Sequence, residues 1–253
     1  MSYHPFALVV DSNKGKLTVK WSDAVTLTKY ANIQSGFYLS ENQSFSVELL
    51  EQKFYAWNQM FWGQREKQGM FDYPDGAKIL DIGAGTSVVD LLLYNYIPNS
   101  IFYLLDNEGW DKKFAELGVP NISYGDDYPI YNNWSPVLDA IQSSNFDKER
   151  FHFLNSTSVF PKDLDVITSY LSWCFHYPKD VYWTQANESL KVGGKLILDV
   201  RPLHDRDVIG EISEQMKSKP VKFAFPKVSQ LVDDFDGPDP EVTGYRCMWI
   251  KNY

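Results

Sequence analysis

The sequence has little that would anchor it through covalent or metal chemistry. It holds 2 cysteines in 253 residues, Cys174 and Cys247. Two thiols cannot make a zinc site alone and do not form a disulfide framework, so a reducing interior is expected. Basic blocks are absent and the net charge is −9, which disfavours electrostatic attraction to nucleic acid or to an anionic membrane. No apolar run is long enough to cross a bilayer. The start, Met1-Ser-Tyr-His-Pro, has no basic n-region and no apolar h-region, so the expectation is a cytoplasmic protein without a membrane partner. Internal repeats and low-complexity linkers are also missing. What is plentiful is apolar and aromatic: 44% hydrophobic residues, with 8 Trp, 16 Tyr and 16 Phe, enough for a large core and for rings that line a pocket. The length suits one large α/β domain with additions.

The chain is organised around Lys78-Ile79-Leu80-Asp81-Ile82-Gly83-Ala84-Gly85-Thr86-Ser87. An apolar strand ends in an acid, and a Gly-x-Gly turn follows. Ser87 stands where a helix cap would, with Asp90 three places on as a capping-box acid. Val88 to Leu93 then continue as a buried helix that stops at Ile97-Pro98. A second strand, Ile101 to Leu105, ends in Asp106. Glycines at 83 and 85 let the backbone turn sharply and approach a ligand closely. An acid about 20 residues beyond such a turn can accept two hydrogen bonds from a ribose diol. The third glycine of the dinucleotide fingerprint is missing, and Val88 stands in its place. The ligand this turn suits is a nucleoside without phosphates.

At these residues the chain resembles the class I S-adenosylmethionine-dependent methyltransferases. Asp81-Ile-Gly83-Ala-Gly85 matches their first motif, and Asp106 matches the acid of their second. Many members have a further glycine where this chain has Ser87. A second match lies downstream, where a helix over Tyr182–Leu190, the double glycine Gly193-Gly194 and a strand Lys195–Val200 follow in order. The resemblance implies a Rossmann-like three-layer α/β sandwich. Its mostly parallel seven-stranded sheet would carry a terminal antiparallel strand, here drawn from Val221–Phe225 and Gly244–Ile250. It also implies a cofactor, S-adenosylmethionine, leaving as S-adenosylhomocysteine. Gly83, Ala84 and Gly85 would flank that cofactor, Asp81 would hold its methionine end, and Asp106 with Asn107 would lie at the ribose. Asn155 or Ser156, after the third strand Phe151–Leu154, would reach the adenine. Ser169 and Tyr170, ending the fourth strand from Val166, would face the transferred methyl.

Residues 1–75 read as an N-terminal extension and 76–253 as the cofactor-binding domain. Phe6–Val10 and Lys16–Trp21 flank a turn, which predicts a hairpin serving as an accessory edge. Leu50, Phe54, Trp57 and Phe61 share one helical face, which either packs on the sheet or roofs an acceptor pocket. The stretch from Asp106 to Phe151 is long for an α/β connection, either a lid or a surface insertion packed on its own aromatics. Trp110 within it either stacks on adenine or packs. Val137 to Ser143 reads as a helix there, and Ile209 to Lys217 as another near the C-terminus.

Methyl transfer from a sulfonium needs placement above all, and a base only when the acceptor is a hydroxyl. His176 and His204 follow the fourth and fifth strands and are the base candidates, each also readable as an ordinary loop histidine. His152 lies within a strand, and His4 near the terminus. Tyr170 and Trp173 are candidates to line the pocket. The activity expected is methyl transfer to an oxygen or nitrogen of a small-molecule acceptor, with no metal, no nucleic acid partner, and a homodimer allowed. The alternative is a nucleoside-binding protein of the same fold that has lost catalysis. A nicotinamide oxidoreductase is disfavoured by the missing third glycine and by Gly193-Gly194. Base-amino methylation is disfavoured because Ser169-Tyr170-Leu171-Ser172 replaces the Asn/Asp-Pro-Pro-aromatic signature.

Overall fold

A computed structural model of the chain describes residues 5–23, 47–106, 134–170, 172–174, 178–200, 207–224 and 245–253. Strands β1 (Phe6–Ser12) and β2 (Gly15–Trp21) form the expected hairpin. It is not an added edge of the main sheet but a separate two-stranded sheet. Its apolar face explains the difference. Leu8, Val10, Leu17 and Val19 alternate inward and are fully or nearly fully buried. Phe6, Trp21 and Phe54 meet with ring centroids 5.7 to 6.3 Å apart. The hairpin therefore packs face-on against helices, and side chains satisfy part of its backbone: Lys20 N–H donates to Ser144 Oγ (2.8 Å) and Ser22 N–H to Asp139 Oδ2 (2.9 Å).

Helix α1 (Val47–Lys67) contributes Phe54 to that aromatic group. Phe61 and Trp62 are buried, and Trp57 lies against Phe61 at 4.3 Å. The same inward face carries two polar residues, Asn58 and Arg65, both buried. A cation on an apolar helix face requires compensation, and Arg65 leads to the candidate site.

The main sheet has seven strands in the order β5-β4-β3-β6-β7-β9-β8. They are β3 (Lys78–Ile82), β4 (Ile101–Leu105), β5 (Phe151–Leu154), β6 (Leu164–Ser169), β7 (Leu190–Val200), β8 (Val221–Ala224) and β9 (Tyr245–Ile250). The five strands β5 to β7 run parallel; β9 runs antiparallel to both β7 and β8. Alternating strand residues serve two cores. Ile79, Phe102, Val166 and Ile197 face one, with residues of α2 (Val88–Tyr96) and α3 (Ser135–Ser143). Leu80, Ile82, Ile167 and Leu198 face the other, with α4 (Trp183–Ser189) and α5 (Val208–Met216). This is the Rossmann-like three-layer arrangement, with the hairpin added. The strand order reverses between β3 and β6, and open α/β sheets bind ligands at the carboxyl ends of strands at such a point.

The double glycine lies inside β7 rather than before it, where the pairing of β6 with β7 shifts register. Gly193 has φ 80, and its N–H donates to the Lys251 carbonyl at 2.7 Å. A Cβ on Gly194 would stand 2.7 Å from Leu190 Cδ1 and 2.8 Å from the Lys191 carbonyl, so the chain passes too close for a side chain. Among the described residues no helix is long and apolar enough to cross a membrane.

Candidate functional site

The turn after β3 is knitted to the end of β4. Gly83 and Ala84 both donate N–H to the Leu105 carbonyl, at 2.8 and 3.1 Å. Gly85 N–H donates to Asp106 Oδ2 at 2.7 Å. Gly83 (φ 78), Gly85 (φ 53) and Ser87 (φ 51) all adopt left-handed backbone. Ser87 departs from its expected role: its side chain makes no capping bond, and its buried hydroxyl has no partner among the described residues. A left-handed residue at this place does not aim its oxygen at the first amides of α2 as an extended cap would. The position where many resembled proteins carry glycine is thus one whose conformation favours glycine.

Asp90 is not a capping acid either. It is 2% exposed and turns toward Asp81, itself 5% exposed. Thr168 Oγ1 donates to Asp81 Oδ1 at 3.0 Å, whereas no donor among the described residues reaches Asp90 Oδ2. Burial pushes the Asp81 carboxyl up to about 6, although Asp90, Thr168 and Arg65 each oppose the rise. Burial, and then the Asp81 charge, push Asp90 well above the usual carboxylate range. Like charges buried together favour a proton on the pair.

The end of β6 supplies the opposite wall. Ser169 Oγ donates to the Ile82 carbonyl (2.6 Å) and accepts Trp173 N–H (2.9 Å), so its hydroxyl locks β6 to β3. Two guanidiniums lie over the Tyr170 ring, Arg65 at 4.0 Å and Arg246 at 5.0 Å. Arg246 is held by the fully buried Asp199 through two hydrogen bonds of 2.6 and 2.8 Å. Arg65 has no ion pair among the described residues. Burial, with help from Arg246, lowers its guanidinium to about 10, which still leaves it charged at neutral pH. Burial pushes the Tyr170 phenol up to about 12 and the Tyr73 phenol well above its ordinary value, so both keep their protons.

Trp173, expected at the pocket, is instead core: it is fully buried, and its indole N–H donates to the Lys179 carbonyl at 2.9 Å. Asn155 is exposed, and its Oδ1 accepts from Thr157 N–H (3.0 Å), Thr157 Oγ1 (2.7 Å) and Ser158 Oγ (3.2 Å). Ser156 beside it is buried. His152 stays within β5, stacked on Tyr103 at 4.9 Å. Asn107, His176, His204, His4 and Trp110 lie outside the described residues, as does most of the stretch between Asp106 and Trp134.

The structure thus gathers Asp81, the glycine turn, Asp106 and Tyr170 around the ends of β3, β4 and β6. To these it adds Arg65 and Asp90, which sequence reasoning did not assign to the site. The Arg65 signal was present, since it lies four residues beyond Phe61 on the apolar face of α1. Asp199 was signalled too, as an acid inside the apolar run of β7. Five side chains here, of Arg65, Tyr73, Ser87, Asp90 and Tyr170, keep a buried polar atom without a formed hydrogen bond among the described residues. Buried polar groups ordinarily have partners, so those of these five come from outside the described residues or from a ligand. S-adenosylmethionine fits the set: a ribose diol matches the Asp106 acid, and an amino-acid end carrying both charges matches Arg65 and the Asp81–Asp90 pair.

No protein-family model matches the sequence, and no curated protein matches it significantly. Solved structures are similar in fold. A methyltransferase from Pyrococcus furiosus aligns at 13% identity over 90% of this chain and 98% of its own, with a TM-score of 0.45. A precorrin-6y C5,15-methyltransferase from Geobacter metallireducens aligns at 13% identity over 86% of this chain and 95% of its own, with a TM-score of 0.41. An rRNA methylase from Streptococcus thermophilus aligns at 8% identity over 74% and 96%, with a TM-score of 0.45. At these values nothing about the acceptor follows. The strand order, the glycine turn after β3 and the acid closing β4 are consistent with the class I S-adenosylmethionine-dependent methyltransferase fold.

Proposed function

We propose that this chain binds S-adenosylmethionine at the turn after β3 and transfers its methyl group to an oxygen or nitrogen of a small-molecule acceptor. One observation carries the reading: a left-handed glycine turn at the point of strand reversal, joined by the Gly85–Asp106 hydrogen bond to the acid that ends β4. In this reading the bound cofactor supplies the electrophilic methyl and the departing sulfur. Gly83, Ala84 and Gly85 let the backbone approach it, and Asp106 with Asn107 receives the ribose hydroxyls. Asn155 or Ser156 borders the adenine. Asp81 holds the methionine end. Ser169 keeps the end of β6 in place, and Tyr170, with two guanidiniums against its ring, presents a wall near the methyl. Helix α1 brings Arg65 over Tyr170, which suits the extension of residues 1–75 to cap the acceptor side of the domain of residues 76–253. His176 and His204 follow β6 and β7 in the chain, and for a hydroxyl acceptor one of them takes the proton. The net charge of −9 supports a small acceptor over a nucleic acid.

Calorimetric titration with S-adenosylmethionine, followed by transfer of a labelled methyl group to a pool of small acceptors, tests the reading in two stages. Binding with turnover supports it in full. Binding without any turnover leaves a nucleoside-binding protein, and no binding removes the cofactor.

A further inference from the structure

We infer that the α-ammonium group of the cofactor displaces a proton held between Asp81 and Asp90, so that binding releases a proton to solvent. The inference rests on the cofactor reading above and adds its proton balance. Three features of the site carry it.

The first is the carboxyl pair. Both groups are buried, and among the described residues Thr168 donates to Asp81 Oδ1 while no donor reaches Asp90 Oδ2. Two bare charges in contact there would repel each other without solvent to screen them, so a proton must sit at the contact. The second is Arg65 on α1, 4% exposed and without an ion pair among the described residues, whose charge acts on both carboxyls. A buried guanidinium beside a carboxyl pair complements a zwitterion: an α-carboxylate for Arg65 and an α-ammonium for the pair. The third is the neutrality of everything else that faces the pair. From β7, Asp199 is neutralised by Arg246 of β9. From the segment before β3 and from the end of β6, Tyr73 and Tyr170 keep their protons far above neutrality. Among the described residues, the pair is the group in this cluster that can change charge between mildly acidic and neutral pH.

The step balances simply. The ligand enters with its ammonium already formed, since an α-amino group titrates only at about pH 7.7–8.0. The proton between the carboxyls leaves to buffer, and the ammonium N–H groups take over the hydrogen bonds it made. No covalent bond of the ligand changes.

The test is calorimetric titration of the full chain with S-adenosylhomocysteine, which keeps the amino-acid end and does not react. Buffers of different ionisation enthalpy at about pH 6.5 count the protons exchanged. The expected result is net release of up to one proton per ligand. Affinity should then weaken by up to about tenfold per pH unit as the pH falls from about 6.5 to 5.5. Asp90→Asn keeps the size of the side chain but removes one of the two carboxyls, leaving Asp81 alone. It should release fewer protons than the unchanged protein and show a shallower pH profile. Methylthioadenosine, which has the nucleoside but no amino-acid end, should release none from the unchanged protein, a comparison that needs no variant. Binding without proton exchange, equal release with methylthioadenosine, or an unaltered pH profile in a folded Asp90→Asn protein overturns the inference and leaves the cofactor reading standing. Failure of S-adenosylhomocysteine to bind at any pH overturns both.

Discussion

Asp106 accepts the Gly85 N–H at 2.7 Å, so the acid that ends β4 also braces the turn that follows β3. One carboxylate thereby shapes the turn and, in the proposed reading, also lies at the ribose.

Replacement of Asp106 should separate these tasks. Asp106→Asn keeps an oxygen for Gly85 but loses the charge; Asp106→Ala loses both. Cofactor affinity should fall by about 1.5–3 kcal/mol in the alanine variant, the scale of hydrogen bonds to a charged group. Its thermal stability should fall below that of the asparagine variant. Calorimetric titration beside thermal melts checks this, and unchanged affinity in a folded Asp106→Ala protein removes the acid from the site.

Ser87→Gly should stabilise the protein. The serine has φ 51 and a buried hydroxyl with no partner among the described residues, so glycine relieves both the left-handed strain and the unsatisfied group. The gain expected is about 1 kcal/mol, or a rise in Tm of about 2–4 °C. A drop in Tm would show that the hydroxyl has a partner outside the described residues.

The Asp199–Arg246 pair is buried on both sides, and breaking it strands a charge. Arg246→Met should cost about 3–5 kcal/mol in urea unfolding. Asp199→Leu combined with Arg246→Met should recover most of that, because no charge is left uncompensated. A double variant as unstable as the single would mean that the pair is needed for its geometry.

The Asp81 carboxyl titrates near 6 in the folded chain, above its ordinary value near 3.8. A raised carboxyl binds its proton more tightly when folded. Its contribution to stability is therefore complete below about pH 4 and disappears as the pH rises through about 6. Comparing urea midpoints of the unchanged protein and Asp81→Asn across that window isolates this carboxyl from other acids. The unchanged protein should lose on the order of 2 kcal/mol relative to the variant as the pH rises. Parallel profiles would show that folding does not raise the Asp81 carboxyl.

If the acceptor is a hydroxyl, His176→Ala should slow turnover about 100- to 10,000-fold while leaving cofactor affinity nearly unchanged. His204→Ala is the comparison on the next loop. Turnover that survives the first change and collapses with the second assigns the base to His204. Full activity in both variants means that neither histidine is the base.

The sequence by itself determined the elements and their order. An apolar run that ends in an acid, a glycine turn and a second strand closed by an acid are local patterns, set by backbone sterics and by burial periodicity. The strands β3, β4 and β5 and the helix α2 follow them closely, and so does the position of Asp106. Only the tertiary structure decided what those patterns meet. Ser87 was readable as a cap from its neighbours, but its left-handed backbone is imposed by the close join of the turn to β4. The hairpin was readable as two strands, yet its packing on helices depends on which faces other elements leave apolar. Arg65 lies 16 residues before Asp81 in the chain, and Arg246 lies 47 residues beyond Asp199. Their meeting around Tyr170 depends on the docking of α1 and on the insertion of β9 between β7 and β8. Charge pairing of this kind has no sequence period, because it is settled by which buried groups need one another once the sheet has closed.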